Sequence, residues 1–475
     1  MRRDALAVAL SLLVADTPSE VHGRPEDWPR WAVQLPHVLA ATSHAGDETL
    51  PTLAEGSRSR CSTLLARAAT YLQTQGRYDD ALPLARRAHA VDERALGPDH
   101  PMVASRLSNL AVVLAELGDL PGARAMAERA LAIDEAALGP DDPGLAIRLA
   151  NLATVLRDLG DLAGARALAE RALAVEEQAL GPDHPDVAGD LSNLAMVLRE
   201  SGDPAGARPM AERALAIGER VLGPDHPTVA VFLNNLAMVL HDLGDVGRAR
   251  RLAERALASM ERTLGPAHPD VAAELINLAQ MAQLTGDPAD ARRLAERAVA
   301  VGEQALGPDH PVVAVGLSTL ALVVRSQGDL AAARPLAERA FGIGERALGA
   351  DHPAVPALMG TLAIVLADLG DTAAARPLAE RALAVAERTL GSDHSTVAIL
   401  LSNVGLTLHA AGDAAEARPL VERAVALGER TLAPGHPALA ILLGNLAIVL
   451  RELGESDAAD ACDARAATIR ATVQG

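Results

Sequence analysis

The sequence predicts an all-α fold, an α-solenoid of about ten helical hairpins of 42 residues each behind an N-terminal helical cap. The hexapeptide LGPDHP begins at Leu96, and near-copies follow every 42 residues up to Leu432. Apolar residues between the copies recur at helical spacing, and a Gly-Asp pair divides most of the intervals in two. A fixed period of this length is typical of stacked repeats, which need no single round core.

The interval from Pro101 to Leu138 shows how each hairpin is built. The first helix has an apolar stripe at i, i+3, i+4, i+7 and i+10, made of Leu107, Leu110, Ala111, Leu114 and Leu117. Gly118 can end this helix in a left-handed conformation, and Asp119 can cap the next one. The second helix is expected to face inward with Ala123, Ala127, Ala130, Leu131 and Leu138.

The repeats predict two regions. Residues 57–475 form the solenoid of ten helix pairs, in which the last helix is more polar and closes the apolar end of the stack. Residues 1–56 form an N-terminal helical cap or linker segment. Trp28 and Trp31 lie in this segment, and we expect them to pack on the first hairpin, because large aromatic side chains are usually buried.

The LGPDHP sequence is predicted to be a joint between hairpins. Gly97 and Pro98 end one helix, Asp99 caps the next, and Pro101 falls in its first turn. His100 is then a turn residue. Equivalent histidines on stacked helices lie roughly 10 Å or more apart. Zinc holds its nitrogen ligands at about 2.0–2.1 Å, so neighbouring histidines cannot share an ion, and we expect no metal.

The composition excludes several classes of function. The 43 basic residues are all arginine, so Schiff-base chemistry, pyridoxal phosphate attachment and a P-loop lysine are ruled out. The net charge of −19 disfavours nucleic acid as a partner. The sequence contains no zinc-protease motif and no nucleophile elbow. We therefore expect a protein that is not an enzyme and binds no cofactor.

Cysteine content and hydropathy bear on the compartment. Cys61 and Cys462 lie far apart in the sequence, which gives no support for a disulfide framework and fits a reducing cytoplasm. No stretch is long and apolar enough to cross a bilayer, so no membrane partner is expected.

The hairpin pattern resembles the tetratricopeptide repeat. The residues that carry the resemblance are Leu107, Asn109, Leu110, Ala111, Leu114, Gly118, Asp119, Ala123 and Ala130. The 42-residue period and the LGPDHP-like joint are similar to the kinesin-light-chain type of this repeat, which is common in bacterial proteins. The resemblance covers Ser57 to about Arg470 and implies a right-handed superhelix. The segment PEDWPRWAVQLPHVLA, Pro25 to Ala40, resembles the joint that precedes such repeats in bacterial NB-ARC and STAND regulators.

The resemblance also implies a peptide-binding groove on the inner face of the first helices. The matching amides are Asn109, Asn151, Asn193, Asn235, Asn277, Asn403 and Asn445. Met196 and Met238 are expected on the floor of the groove, and a partly basic lip is expected from Arg157, Arg199, Arg325 and Arg451. Two alternatives remain open: the amides can form structural bonds between helices, and tight packing can bury the floor.

These observations predict a non-enzymatic scaffold that binds a peptide or protein partner in its concave groove. The alternative is a self-associating structural element or the sensor arm of a STAND-type switch. The sequence does not identify the partner, and binding on the convex face stays open.

Overall fold

A computed structural model describes residues 2–18, 21, 27–45, 53–139, 142–352, 354–432, 434 and 436–474. Every regular element in these ranges is helical. The helices are α1 Arg2–Asp16, α2 Trp28–His44, α3 Glu55–Thr74, α4 Tyr78–Leu96, α5 Pro101–Glu116, α6 Leu120–Leu138, α7 Ala146–Asp158, α8 Leu162–Leu180, α9 Pro185–Glu200, α10 Pro204–Val221, α11 Pro227–Asp242, α12 Val246–Thr263, α13 Pro269–Leu284, α14 Pro288–Leu306, α15 Pro311–Ser326, α16 Leu330–Leu348, α17 Val355–Asp368, α18 Thr372–Thr389, α19 Ser395–Ala410, α20 Ala414–Thr431, α21 Pro437–Glu452 and α22 Ser456–Gln474.

Helices α3 to α22 form ten consecutive hairpins, which confirms the predicted all-α repeat fold. In each hairpin we name the first helix A and the second helix B. The core is built from small and aliphatic side chains, as the low aromatic content requires. Between α5 and α6, for example, Val103, Ala104 and Leu107 pack on Ala130 and Ile133.

The turn inside each hairpin follows the predicted chemistry. Gly118 has a φ of 82°, a left-handed conformation that ends α5 without steric strain. The Asp119 side chain then accepts a hydrogen bond from the Gly122 backbone N–H and caps α6. The same left-handed glycine recurs in every hairpin, at Gly76, Gly118, Gly160, Gly202, Gly244, Gly286, Gly328, Gly370, Gly412 and Gly454.

The prediction that Asp99 caps α5 is wrong, because the histidine beside it is the cap. The His100 Nδ1 atom accepts a hydrogen bond from the Met102 backbone N–H at 3.1 Å. The same bond, at 3.0–3.3 Å, is made by His184, His226, His268, His310, His352, His394 and His436. Asp142, which replaces histidine in one joint, accepts from the Gly144 N–H at 2.8 Å. The substitution is tolerated because a carboxylate oxygen caps equally well.

The aspartate of the joint instead pairs with the next hairpin. Asp225 contacts Arg262 at 2.5 Å, and Asp309 contacts Arg346 at 2.8 Å. All four side chains are more than half exposed, so each pair contributes little to stability.

The N-terminal helices α1 and α2 pack against α3. The Trp31 side chain is fully buried and stacks on Tyr71 of α3, with the ring centroids 5.7 Å apart. The Trp28 Nε1–H donates to the Val21 carbonyl oxygen at 3.1 Å. Pro25 and Glu26 of the tryptophan-containing segment lie outside the described residues, and the boundary between residues 56 and 57 stays a prediction.

The chain divides into two compact units. Unit 1 comprises residues 1–156 and 167–187, and unit 2 comprises residues 157–166 and 188–475. Within unit 2, the A helices of successive hairpins pack on one another, as α13 does on α15 and α17 does on α19. Neighbouring B helices make fewer such contacts. The A helices therefore lie on the inner side of the curve of this unit.

Candidate partner-binding site

The candidate site is one face of the A helices. In α11 this face carries Val231, Asn235, Met238 and Asp242, which stand at i, i+4, i+7 and i+11 and so point to the same side. We call the equivalent positions of all A helices the inner strip. Each hairpin adds one such row of four residues to it.

The first position of the inner strip is apolar and exposed in most hairpins. The exposed aliphatic side chains at this position are Ile147, Val231, Val315, Ile399 and Ile441, which are 38–58 % exposed. A repeated series of exposed aliphatic side chains indicates a surface that contacts a partner. Sequence reasoning missed this series. Its signal was a large aliphatic residue outside the buried stripe that recurs every 84 positions from Ile147 to Ile399 and again at Ile441.

The second position holds the asparagines, and four of the seven amides bond to the A helix before them. The Nδ2 atoms of Asn151, Asn235 and Asn445 lie 2.8–2.9 Å from a serine Oγ atom, and that of Asn277 lies 3.1 Å from the Asn234 Oδ1 atom. At these four positions the amide forms the structural bond between helices that the sequence left open. An amide has two N–H donors and one carbonyl acceptor, so it still has groups for a ligand.

The residue beside the previous asparagine decides whether an amide is bonded in this way. Ser108, Ser192, Asn234 and Ser402 supply the acceptor for the four bonded amides. Asn109, Asn193 and Asn403 follow a hairpin with alanine or glycine at that place, and the structure shows no such bond for their side chains within the described residues. These three amides are the strongest candidates for contact with a partner.

The methionines of the third position differ in exposure. Met196 is 7 % exposed and belongs to the core, while Met238 is half-buried. Gln280 and Ile448 occupy the equivalent place in later hairpins and are exposed. The floor of the groove is therefore open in some hairpins and filled in others.

The four arginines of the predicted lip are paired with carboxylates. Arg157 contacts Asp158 at 2.8 Å, and Arg199 lies 3.5 Å from Asp242 of the following hairpin. Arg325 contacts Asp368 at 2.6 Å. Arg451 contacts Asp460 and Asp463. The lip therefore carries both signs of charge, and an acidic partner must compete with these carboxylates.

One cluster of side chains of the types that bind metals occurs among the described residues: His241, Asp242 and His436, with nitrogen and oxygen atoms within 4.8 Å of one another. His241 and Asp242 end one A helix, whereas His436 precedes an A helix five hairpins later. The spacing of histidines in neighbouring joints therefore does not predict this cluster. His436 Nδ1 accepts the Ala438 N–H at 3.0 Å, which places the proton of the neutral ring on Nε2. That proton points toward Asp242 Oδ1, 3.7 Å away. The group is thus arranged as donors around a carboxylate.

The charge state of Asp242 fits this arrangement. Burial alone would favour the neutral acid, but the polar contacts with the His241 and His436 rings and the positive charge of Arg199 hold the pKa of Asp242 well below its usual range. His241 Nδ1 lies 3.0 Å from Asp242 Oδ1. Asp242 is therefore a carboxylate at neutral pH.

None of the described helices combines the length and the hydropathy needed to cross a bilayer.

The tetratricopeptide repeat model matches nine overlapping segments: residues 59–136, 105–178, 145–220, 190–262, 228–304, 270–346, 312–388, 355–427 and 396–472. A search of curated proteins found no match.

Solved structures of repeat proteins are similar to this chain. The tetratricopeptide-like repeats of a putative kinesin light chain from Podosopora anserina are 26 % identical, cover 44 % of this chain and 98 % of their own, and give a TM-score of 0.37. BtubC (BKLC) from P. vanneervenii is 25 % identical, covers 48 % and 89 %, and gives 0.36. A Rap protein complexed with competence and sporulation factor is 14 % identical, covers 79 % and 99 %, and gives 0.59, which shows a shared fold.

Proposed function

Because the chain belongs to the tetratricopeptide repeat family, whose repeats are protein-interaction scaffolds, we propose that it binds a peptide or protein partner along the inner strip without catalysing a reaction. The observation that supports this most is the exposed aliphatic series, which in unit 2 comprises Val231, Val315, Ile399 and Ile441 and lies beside a row of amides. Apolar side chains of a partner gain free energy by covering such a series.

The amides suit the backbone of the partner. An asparagine both donates and accepts, so it can bond a peptide group without selecting the side chain that follows. Asn193 and Asn403 in unit 2 have this capacity in full, whereas Asn235 and Asn445 already bond a serine. Since the lip arginines are paired, we infer that apolar and backbone contacts dominate and that charge mainly affects the rate of association.

The experiment compares two pairs of substitutions in the full chain. Peptides that bind the wild-type protein are selected from a displayed random library, and their affinities are measured by calorimetry. Asn193→Ala with Asn403→Ala should weaken binding about tenfold, because two hydrogen bonds of about 0.5–1.5 kcal/mol each are lost. Thermal unfolding of this variant should match that of the wild type.

The control pair is Asn235→Ala with Asn445→Ala, which should lower both affinity and thermal stability. Arg157→Ala with Arg199→Ala should weaken binding chiefly at low salt, where charge steers association. Glu212→Ala on the outer face of α10 should change neither property. If the selected peptides respond to Glu212→Ala but not to the Asn193 and Asn403 pair, the partner binds the convex side and the proposal is wrong.

A further inference from the structure

Residues five hairpins apart contact each other within unit 2. A Cβ atom on Gly160 would lie 2.9 Å from the Thr389 carbonyl oxygen, and one on Gly202 would lie 3.6 Å from that of Thr431. Helix α12 also contacts α22. Each of these contacts joins a hairpin to the fifth hairpin after it, so about five hairpins complete one turn of this unit.

Acidic residues at the ends of A helices face cap histidines five hairpins later, and the same pairing of positions recurs in three consecutive hairpins. Asp158, Glu200 and Asp242 end three consecutive A helices, and His352, His394 and His436 precede the A helices five hairpins later. The charge of Asp158 acts on His352, and His436 Nε2 lies 3.7 Å from Asp242 Oδ1. Glu200 and His394 both line the two cavities between the turns.

Because these histidines cap helices through Nδ1, they present an Nε2–H donor to the facing acidic side chains. Their Nδ1 atoms accept a backbone N–H, so the neutral rings carry the proton on Nε2 and present a donor. Burial lowers the pKa of His352 and of His394, which keeps both rings neutral at physiological pH. Arg199 holds the second oxygen of Asp242 at 3.5 Å, which leaves Oδ1 for the histidines.

We propose that Asp158, Glu200 and Asp242, which face His352, His394 and His436, form a clasp that holds one turn of unit 2 closed, so that the groove inside admits an extended segment of a partner and excludes a folded domain. The second half of this proposal rests on the proposed function. The inner strip lies inside the turn. Five A helices packed about 10 Å apart would line a ring roughly 50 Å around and so about 16 Å across, which is narrower than a folded domain of about 50 residues.

Labelling of an introduced thiol tests what the groove admits without any partner. Gln280 is exposed on α13, at the third position of the inner strip and between Asp242 and His352 in sequence. The full chain would carry Gln280→Cys with Cys462→Ser. Cys61 can remain, because it is buried and burial raises its pKa to about 11. The probes are N-ethylmaleimide and the same maleimide joined by a short linker to a folded 30 kDa carrier protein.

His436→Asp is the variant that breaks the clasp. Aspartate keeps the cap, as Asp142 shows, but places a second carboxylate against Asp242. Adding Asp242→Asn should restore a donor–acceptor contact. His100→Asp is the matched control, because it makes the same change at a histidine that caps a helix in unit 1, away from the six residues of the clasp.

For each probe, the rate of reaction with the thiol at position 280 is divided by its rate with a free thiol peptide. In the parent protein we expect this ratio to be at least about tenfold lower for the carrier-linked maleimide than for N-ethylmaleimide. His436→Asp should remove this difference, the added Asp242→Asn should bring it back, and His100→Asp should preserve it. Equal protection in the His436→Asp variant would overturn the clasp. Fast reaction of the carrier-linked probe in the parent would show that the turn is open and would also overturn the clasp. Neither result decides whether a peptide binds the inner strip, which the calorimetric experiment tests separately.

Discussion

In unit 1, the joint between helix B of one hairpin and helix A of the next holds buried ion pairs. Arg106 contacts Asp92 at 2.8 Å and Arg148 contacts Asp134 at 2.9 Å, with side chains that are 6–12 % exposed. In three joints of unit 2 the same two positions hold glycine and a large apolar residue. Gly218 faces Phe232, Gly344 faces Leu358 and Gly428 faces Leu442.

The comparison shows that residue pairs of different chemistry can fill the same joint. A Cβ atom on Gly218 would lie 2.8 Å from the Phe232 ring, so the space that one unit fills with two charged side chains is filled in the other by one large residue. A buried ion pair is stable only when both partners are present, whereas an apolar contact needs only volume.

Glu274 departs from both arrangements. It occupies the position of Arg148 in its hairpin, where Met260 stands in the position of Asp134, and it is 1 % exposed. Neither of its carboxyl oxygens has a hydrogen-bond partner among the described residues, and the nearby Asn277 amide is bonded to Asn234. Burial raises the pKa of Glu274 to about 8, and the polar contact with Asn277 offsets only part of this effect.

The largest expected effect comes from breaking an ion pair in unit 1. Asp134→Ala should lower the free energy of unfolding by about 3–5 kcal/mol, because Arg148 stays buried without its carboxylate. Denaturant unfolding followed by circular dichroism measures the loss, and amide exchange should place it around α6 and α7. Asp225→Ala, which breaks an exposed pair, is the control and should change stability little.

Exchanging the joints sharpens the same test. Asp134→Gly with Arg148→Leu installs the pair of residues found at Gly344 and Leu358, and it should recover most of the stability that Asp134→Ala loses. A double variant no more stable than Asp134→Ala would mean that the two joints are not interchangeable.

The second effect concerns pH and Glu274. The folded carboxyl keeps its proton up to about pH 8, whereas the unfolded chain releases it near the ordinary pKa of 4.5. Stability is therefore full below about pH 4.5 and falls as the pH rises toward 8. Glu274→Met should remove this fall and raise the free energy of unfolding by about 3 kcal/mol at pH 7. Urea unfolding between pH 5 and 8 measures it, and identical slopes for both proteins would show that Glu274 is ionised in the fold.

These features mark where sequence reasoning succeeds and where it stops. The helices and their turns could be predicted from spacing, because Gly118 has a single role, the left-handed conformation, and Asp119 has a single role, the cap. The cap of helix A did not follow, because His100 and Asp99 are adjacent and only the backbone decides which side chain reaches the N–H. The contact of Asp242 with His436 depends on the number of hairpins per turn, which a nearest-neighbour pattern does not contain.

The third effect tests the volume of the joint in unit 2. Gly428→Ala should lower the free energy of unfolding by about 1–3 kcal/mol, because the new Cβ atom would lie 2.7 Å from Leu442 Cδ1. Adding Leu442→Val removes that atom and should recover part of the loss. Gly342→Ala is the control, since its Cβ atom would meet only the flexible end of Arg346, and it should gain about 0.5–1 kcal/mol from helix propensity. Losses of equal size at both glycines would contradict the volume argument.

The smallest effect concerns a feature that the two units share. The joint chemistry differs between them, but cap histidines occur in both, so the loss of a cap should have the same size in each. His100→Ala in unit 1 and His226→Ala in unit 2 should each lower the free energy of unfolding by about 1 kcal/mol, through the loss of one bond to a backbone N–H. His100→Asp and His226→Asp should stay close to the wild type, because Asp142 already caps α7 through the short turn before it. Denaturant unfolding of the four variants measures the effect. A loss on changing to aspartate as large as that on changing to alanine would mean that the imidazole ring, and not its acceptor atom, stabilises the joint.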